Sequence, residues 1–457
     1  MKDVRNTVVV MLLFVSLVLS LSIAAKAESP ITFSGYLRIR TFGLGGFFPH
    51  VLAETTDKRS DKYAITRLRV NVVFKPLENL EVRWRFQGPT GARYGTSNQA
   101  SDFSLQSMYF YGVIKTDYGN ISIGRISYDV DSAGFQTLGY MPTWGFNAQA
   151  NVFDRDSEND GILYRNDWDN GFGLKAFYVK KSTHGGNTAL TYVKDADYDR
   201  FSIEPYYKWE GGGASIAVQY DRNQSLLVGG VYVERNYFYS INPAFIHQWQ
   251  LSGETTFAIH AEAKFSWGSR RFPDEQDSER LLGSAAYVDF TLGYPQGNVS
   301  LAGWFANGND TGPGADPDTR IKSLVDFGEG FYPFIIFYYG NNFIGNALAQ
   351  NLEGNQYANH YGLALLGNHK LNDYVTINYG IGHFRKVADY IFTDGSTASK
   401  SLGTEFDLGL VVNILDNLQY STKVGIFDSG SYYSERFNRE DFDGTVWGWA
   451  NEFLFTF

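Results

Sequence analysis

The chain has 457 residues, of which 44% are hydrophobic and 17% aromatic, and carries a formal net charge of −10. That acidic balance argues against a nucleic-acid partner. The absence of cysteine removes disulfide frameworks, thiolate metal sites and cysteine nucleophiles.

The first element is a targeting segment. Lys2 and Arg5 precede an apolar run from Val8 to Ala25, and "AKA" at 25–27 fits a small-x-small cleavage site. Residues 1–27 are therefore expected to be a cleaved signal peptide, leaving 28–457 as a single domain. No later apolar run approaches the roughly 20 residues of a membrane helix. High Tyr, Phe and Gly contents (31, 36 and 48 residues) favour strands and turns instead.

Strand alternation begins at "SGYLRIR" (34–40). Leu37 and Ile39 share one face, and Arg38 and Arg40 share the other. The pattern returns at 67–70 and 82–86, where Arg67, Arg69, Arg83 and Arg85 alternate with Leu68, Val70, Trp84 and Phe86. A short turn at 75–79 predicts that Arg69 lies close to Arg85. Counting from the turns puts all of these arginines at roughly mid-membrane height. Arg125, in "GNISIGR", is expected at similar depth, and Arg165 lower. Like charges on one face weaken a sheet, whereas guanidinium forks suit carboxylates and phosphates.

A long loop at 129–158 follows, with Asp129, Asp131, Asp154, Asp156 and Glu158. Within "DSENDGILYRND", Asp156, Glu158, Asp160 and Asp167 partly match a calcium loop, but a strand starting near 160 would straighten it. Later strands put Glu204, Glu262, Asp289, Glu405, Asp407 and Glu452 on polar faces opposite apolar ones that often end in Trp, Tyr or Phe. Basic groups thus gather on the first third of the wall and acidic groups on the rest.

Connections alternate between tight and long. Eight short turns and nine long loops make 17 connections, hence 18 strands, with 16 as an alternative because 225–250 and Pro243 are ambiguous. The fold class is all-β: a transmembrane antiparallel up-and-down barrel with short periplasmic turns and long extracellular loops. The last strand ends on Phe457, with Trp447, Trp449, Phe453 and Phe455 on the same parity.

The strand-5 and long-loop region, the arginine-rich first strands and the terminal Phe resemble Gram-negative outer-membrane porins. They are similar to the 18-stranded alginate-export and substrate-specific porin families. That resemblance implies that loop 129–158 folds into the lumen, that Arg38, Arg40, Arg67, Arg69, Arg83, Arg85 and Arg125 help line a constriction, with Arg165 lining the pore lower down, and that Phe457 engages the barrel-assembly machinery. The expected function is passive diffusion of small polar or anionic solutes across a bacterial outer membrane, or export of an acidic polysaccharide. The alternatives are a sheath for an electron-transfer partner and, more weakly, an outer-membrane hydrolase. No metal-binding histidine arrangement, nucleophile elbow or phosphate loop is found, so neither an enzyme nor a cofactor is expected. Expected partners are outer-membrane lipid, lipopolysaccharide at the outer loops and the permeating solute, with homotrimer and monomer both open.

Overall fold

A computed structural model describes residues 30–46, 61–88, 93–94, 106–128, 157–183, 197–223, 227–228, 231–232, 235–271, 279–315, 320–321, 334, 336, 359–438 and 444–457. The expected signal peptide and most of loop 129–158 lie outside these residues, and with them Asp129, Asp131, Asp154 and Asp156.

Eighteen long strands follow in chain order. They are β1 (Ile31–Gly46), β2 (Asp61–Leu77), β3 (Leu80–Gly88), β4 (Gln106–Thr116), β5 (Gly119–Tyr128) and β6 (Ser157–Asp167). Next come β7 (Phe172–Thr183), β8 (Asp197–Trp209), β9 (Gly212–Asn223), β10 (Arg235–Ser252), β11 (Thr255–Arg271) and β12 (Glu279–Tyr294). The last are β13 (Gly297–Ala306), β14 (His360–Lys370), β15 (Val375–Lys386), β16 (Ser401–Leu415), β17 (Leu418–Ser429) and β18 (Thr445–Thr456). Among the described residues, a short helix, α1 (Ser431–Phe437), sits in the last long connection.

Each strand pairs antiparallel with its sequence neighbours, and β1 closes on β18. The backbones of Gly35 and Phe457 exchange two hydrogen bonds, so the carboxyl-terminal residue is part of the seam. Closure leaves no unpaired edge, which a bilayer would not tolerate.

The alternation read from sequence decides which side faces what. Phe33, Leu37 and Ile39 on β1 are exposed, while Arg38 and Arg40 between them are buried. On β18, Trp447, Phe453, Phe455 and Phe457 are exposed, while Glu452 is buried. In a closed barrel, this combination means an apolar outside and a packed polar inside.

Two local expectations are corrected. The β2–β3 register is centred on Leu77 opposite Leu80, with an irregularity between Phe74 and Leu77. Arg69 therefore faces Gln87, and Arg85 faces Asn71, so the two arginines are diagonal rather than opposite. Pro243 neither ends β10 nor introduces a bulge: the register to β11 is the same on both sides of it. The neighbouring residues 227–228 and 231–232 form a separate small hairpin outside the barrel sheet, which settles the count at eighteen.

Candidate functional site

The interior has two unlike walls. On β2–β4, the arginines rise from the periplasmic turn. Arg83 and Arg85 stand three and five residues above Leu80, and Arg69 and Arg67 stand eight and ten above Leu77. At ~3.3 Å per residue and ~45° tilt, they span roughly 7 to 23 Å of height. The expected belt at one level is in fact a ladder.

Neighbouring groups hold Arg69, Arg85 and Arg83. The Arg69 guanidinium donates to Gln87 Oε1 at 2.8 and 3.1 Å and lies 5.6 Å from the Tyr36 ring centre. Arg85 Nε donates to Asn71 Oδ1 at 2.6 Å, and its guanidinium lies 4.6 Å from the Tyr109 ring. Arg83 pairs with Glu81, which also takes Lys115 at 3.5 Å. Glu81 is buried, but the Arg83 side chain is 46% exposed. Arg67 and Arg85 are half-buried, and among the described residues no carboxylate pairs with Arg85. Amide and aromatic partners orient a guanidinium without cancelling its charge.

One strand away, the same residue type behaves differently. Arg38 and Arg40 are each 5% exposed. Arg40 Nε pairs closely with Glu452 Oε2 on β18, and Arg38 Nε is 3.8 Å from the same oxygen. Buried Lys423 on β17 has Asp407 of β16, Glu452 and Arg40 as its charged neighbours. Charges of alternating sign thus run across the closing strands, and these two arginines belong to the seam rather than to open lumen water.

The opposite wall, on β8–β16, is acidic and covered. Glu204, Glu262, Asp289, Glu405 and Asp407 all lie inside, each no more than 5% exposed. His260 sits between two of them, with Nε2 at 2.7 Å from Glu262 and Nδ1 at 3.3 Å from Asp289. Thr291 donates to Asp289 at 2.9 Å. Glu405 accepts the backbone N–H of Ile336 at 2.6 Å, and Phe334 packs edge-on against Phe384 at 5.3 Å. A Cβ on Gly382 would meet the Phe334 ring at 2.5 Å, so the missing side chain is what admits that ring. Part of the long connection between β13 and β14 therefore lies against the inner wall.

No family model and no curated protein matches the sequence. Solved structures do match the fold. OpdL of Pseudomonas aeruginosa aligns with a TM-score of 0.54 at 10% identity, covering 93% of this chain and 98% of that one. OpdQ of the same organism gives 0.53 at 10% identity, covering 93% and 97%. OccAB3 of Acinetobacter baumannii gives 0.51 at 11% identity, covering 93% and 99%. The chain has the fold of an 18-stranded outer-membrane porin.

Within this porin fold, the remaining expected site residues take definite places. Arg125 is not in the lumen. On β5 it shares parity with exposed Ile123 and lies opposite exposed Phe110, so it faces outward. A lipid-facing arginine near the midplane costs about 2–4 kcal/mol; Asp160, directly opposite on β6, offsets part of that. Arg165 does face inward, near the periplasmic turn, where Asp167 accepts from it at 2.9 Å and from Lys208 at 2.9 Å. The calcium reading fails. Glu158, Asp160 and Asp167 lie along one straight strand, and Asp160 faces outward while Asp167 faces inward. Among the described residues, no group of His, Asp and Glu could hold a metal ion.

Sequence reasoning missed three features. His260 fits no metal pattern in the sequence, yet it shares the inner face with Glu262 and Asp289. The "FYPFIIF" run at 331–337 is an apolar signal in an otherwise polar loop. The third is the extracellular packing of α1. There Lys386 Nζ lies 5.1 Å from the Tyr432 ring, Arg436 covers Tyr390 at 5.2 Å, and burial pushes the Tyr433 phenol well above its ordinary range.

Proposed function

We propose that this barrel is a passive channel for small anionic or polar solutes, with Arg67, Arg69, Arg83 and Arg85 as its selecting wall. The observation that carries this reading is the ladder itself: guanidinium groups reaching partway into the lumen, with Arg69 and Arg85 held by amides and tyrosine rings and Arg83, half exposed, by Glu81. An anion released by one rung meets the next within a few ångströms, so no single site has to bind tightly, as conduction requires. The acids of the far wall are covered by protein and do not compete for the permeating charge to the same degree.

The solute class follows from the same groups. Planar forks at successive heights suit carboxylates, whether on a small dicarboxylate or on successive sugars of a uronate chain. Reconstitution in planar bilayers with uronate oligomers and with dicarboxylates separates these two cargoes. Reversal potentials in asymmetric salt test the reading as a whole. A cation-selective pore would overturn it.

A further inference from the structure

The outward face of β6–β9 carries a second constellation that the channel reading does not use. A trough of about 600 Å³ opens there toward lipid, with Ala176, Ile203 and Val218 in its floor. These three lie in register across β7, β8 and β9. The small Ala176 side chain, set beside Tyr164 and Tyr178, is what makes the surface concave.

At the outer end of the trough, the outward side chains that line it become aromatic. Tyr178 and Phe201 lie 4.7 Å apart, Phe201 and Tyr220 6.2 Å, and Tyr220 and Tyr239 5.1 Å. One register step higher, the row becomes ionic: Arg125, Asp160, Lys180, Asp199 and Arg222 face one another on five successive strands. The same row continues through Tyr237 and Ser269 to exposed Arg280. The row climbs with the strand tilt, from Arg125 six residues above its turn to Arg280 fourteen above its own, so Lys180 and Arg222, on either side of Asp199, are the cations just above the aromatic row.

The row is held in place by its own contacts. Asp199 is 3% exposed although its strand neighbour on the same face, Phe201, is open. It accepts from Tyr178 Oη at 2.9 Å and from Arg222 at 2.5 and 3.0 Å. The Arg222 side chain still keeps 43% of its surface exposed. Lys180 and Arg222 stand eight and ten residues above their periplasmic turns, or roughly 19 and 23 Å, the outer edge of a ~25 Å apolar band.

Aliphatic trough, aromatic shelf and cationic rail follow one another from the membrane interior outward. An amphiphile with an acyl chain, a sugar and a phosphate presents the same three layers in the same order. We propose that this face binds one phosphorylated glycolipid of the outer leaflet. An acyl chain fills the trough, the sugar stacks on the Tyr178–Phe201–Tyr220 shelf, and Lys180 and Arg222 contact the phosphate. The site is on the barrel wall, below the outer loops where lipopolysaccharide was first expected.

The test uses the full-length refolded barrel, with native mass spectrometry counting lipid retained after mild detergent extraction. The probes are a bis-phosphorylated acylated disaccharide lipid and its dephosphorylated form. The phosphorylated probe is expected to remain at one per barrel, and the dephosphorylated one to wash off. At about fivefold per interfacial cation, Lys180→Gln with Arg222→Gln lowers retention roughly thirtyfold. Ala176→Phe fills the trough and lowers retention of the phosphorylated probe while heat-modifiable gel mobility, reporting the folded barrel, stays unchanged. Equal retention of the two probes, or wild-type retention in both variants, overturns the proposal. So does a cross-link from residue 180 to a second copy of the chain, which would make this face a subunit contact.

Discussion

Arginines on β1 and on β2–β3 occupy the same parity of adjacent strands, yet they serve different ends. Arg38 and Arg40 are buried and share Glu452 across the closing seam, whereas Arg83 and Arg85 reach into the lumen from amide, acid and tyrosine supports. What separates them is the neighbouring strand. β1 meets β18, which brings a carboxylate to the same height; β2 and β3 meet each other and β4, which bring Asn71, Gln87, Tyr109 and Lys115. Residue type and face are therefore insufficient to assign a lumen arginine; its lateral partners decide.

This contrast can be broken in stages. Removing one partner of a buried ion pair typically costs about 3–5 kcal/mol. Glu452→Ala is accordingly expected to lower the stability of the refolded barrel by that order in urea titration, leaving ion selectivity near wild type. A selectivity loss without a stability loss would reverse the roles assigned to the two groups. Arg83→Ala with Arg85→Ala should do the opposite, abolishing most anion preference while shifting stability by about 1 kcal/mol or less, as expected for partly exposed pairs. Phe334→Ala removes the ring lodged over Gly382 and is expected to raise single-channel conductance without changing the sign of selectivity. The smallest effect is from salt. Raising ionic strength from 0.1 to 1 M shortens the screening length from about 10 to 3 Å, so anion preference should fall toward unity in the wild type. It should change little in the double arginine variant.

Much of this architecture was legible in the sequence. Period-two alternation and the rhythm of short and long connections specify eighteen strands, their order and the lipid face of β1, β2, β3 and β18. The misreadings have physical causes. Depth along the strand and the resemblance to porins both put Arg125 in the lumen, and neither fixes which face of β5 it occupies. Its strand instead turns Ile126 inward, into a packed cluster with Phe177 and Val179, so polarity does not mark the inner face there. The pairing of Arg69 depends on the irregular turn at Leu77–Leu80, which shifts the register by two without any distinctive residue. The seam pairing of Arg40 and Glu452 spans 412 positions. It becomes visible only once closure is assumed and the first and last strands are laid side by side. The docking of Phe334 and Ile336 is a tertiary contact that no local pattern announces.

The central claim is that the β2–β3 ladder, not the seam, sets the charge preference of the pore. Reversal potential in a tenfold salt gradient tests it most directly, measured on the wild type, Arg83→Ala with Arg85→Ala, and Arg40→Gln with Glu452→Gln. An anion-selective wild type, a near-unselective ladder variant and a wild-type-like seam variant are predicted. A ladder variant that keeps full anion preference, or a wild type that prefers cations, would contradict the account.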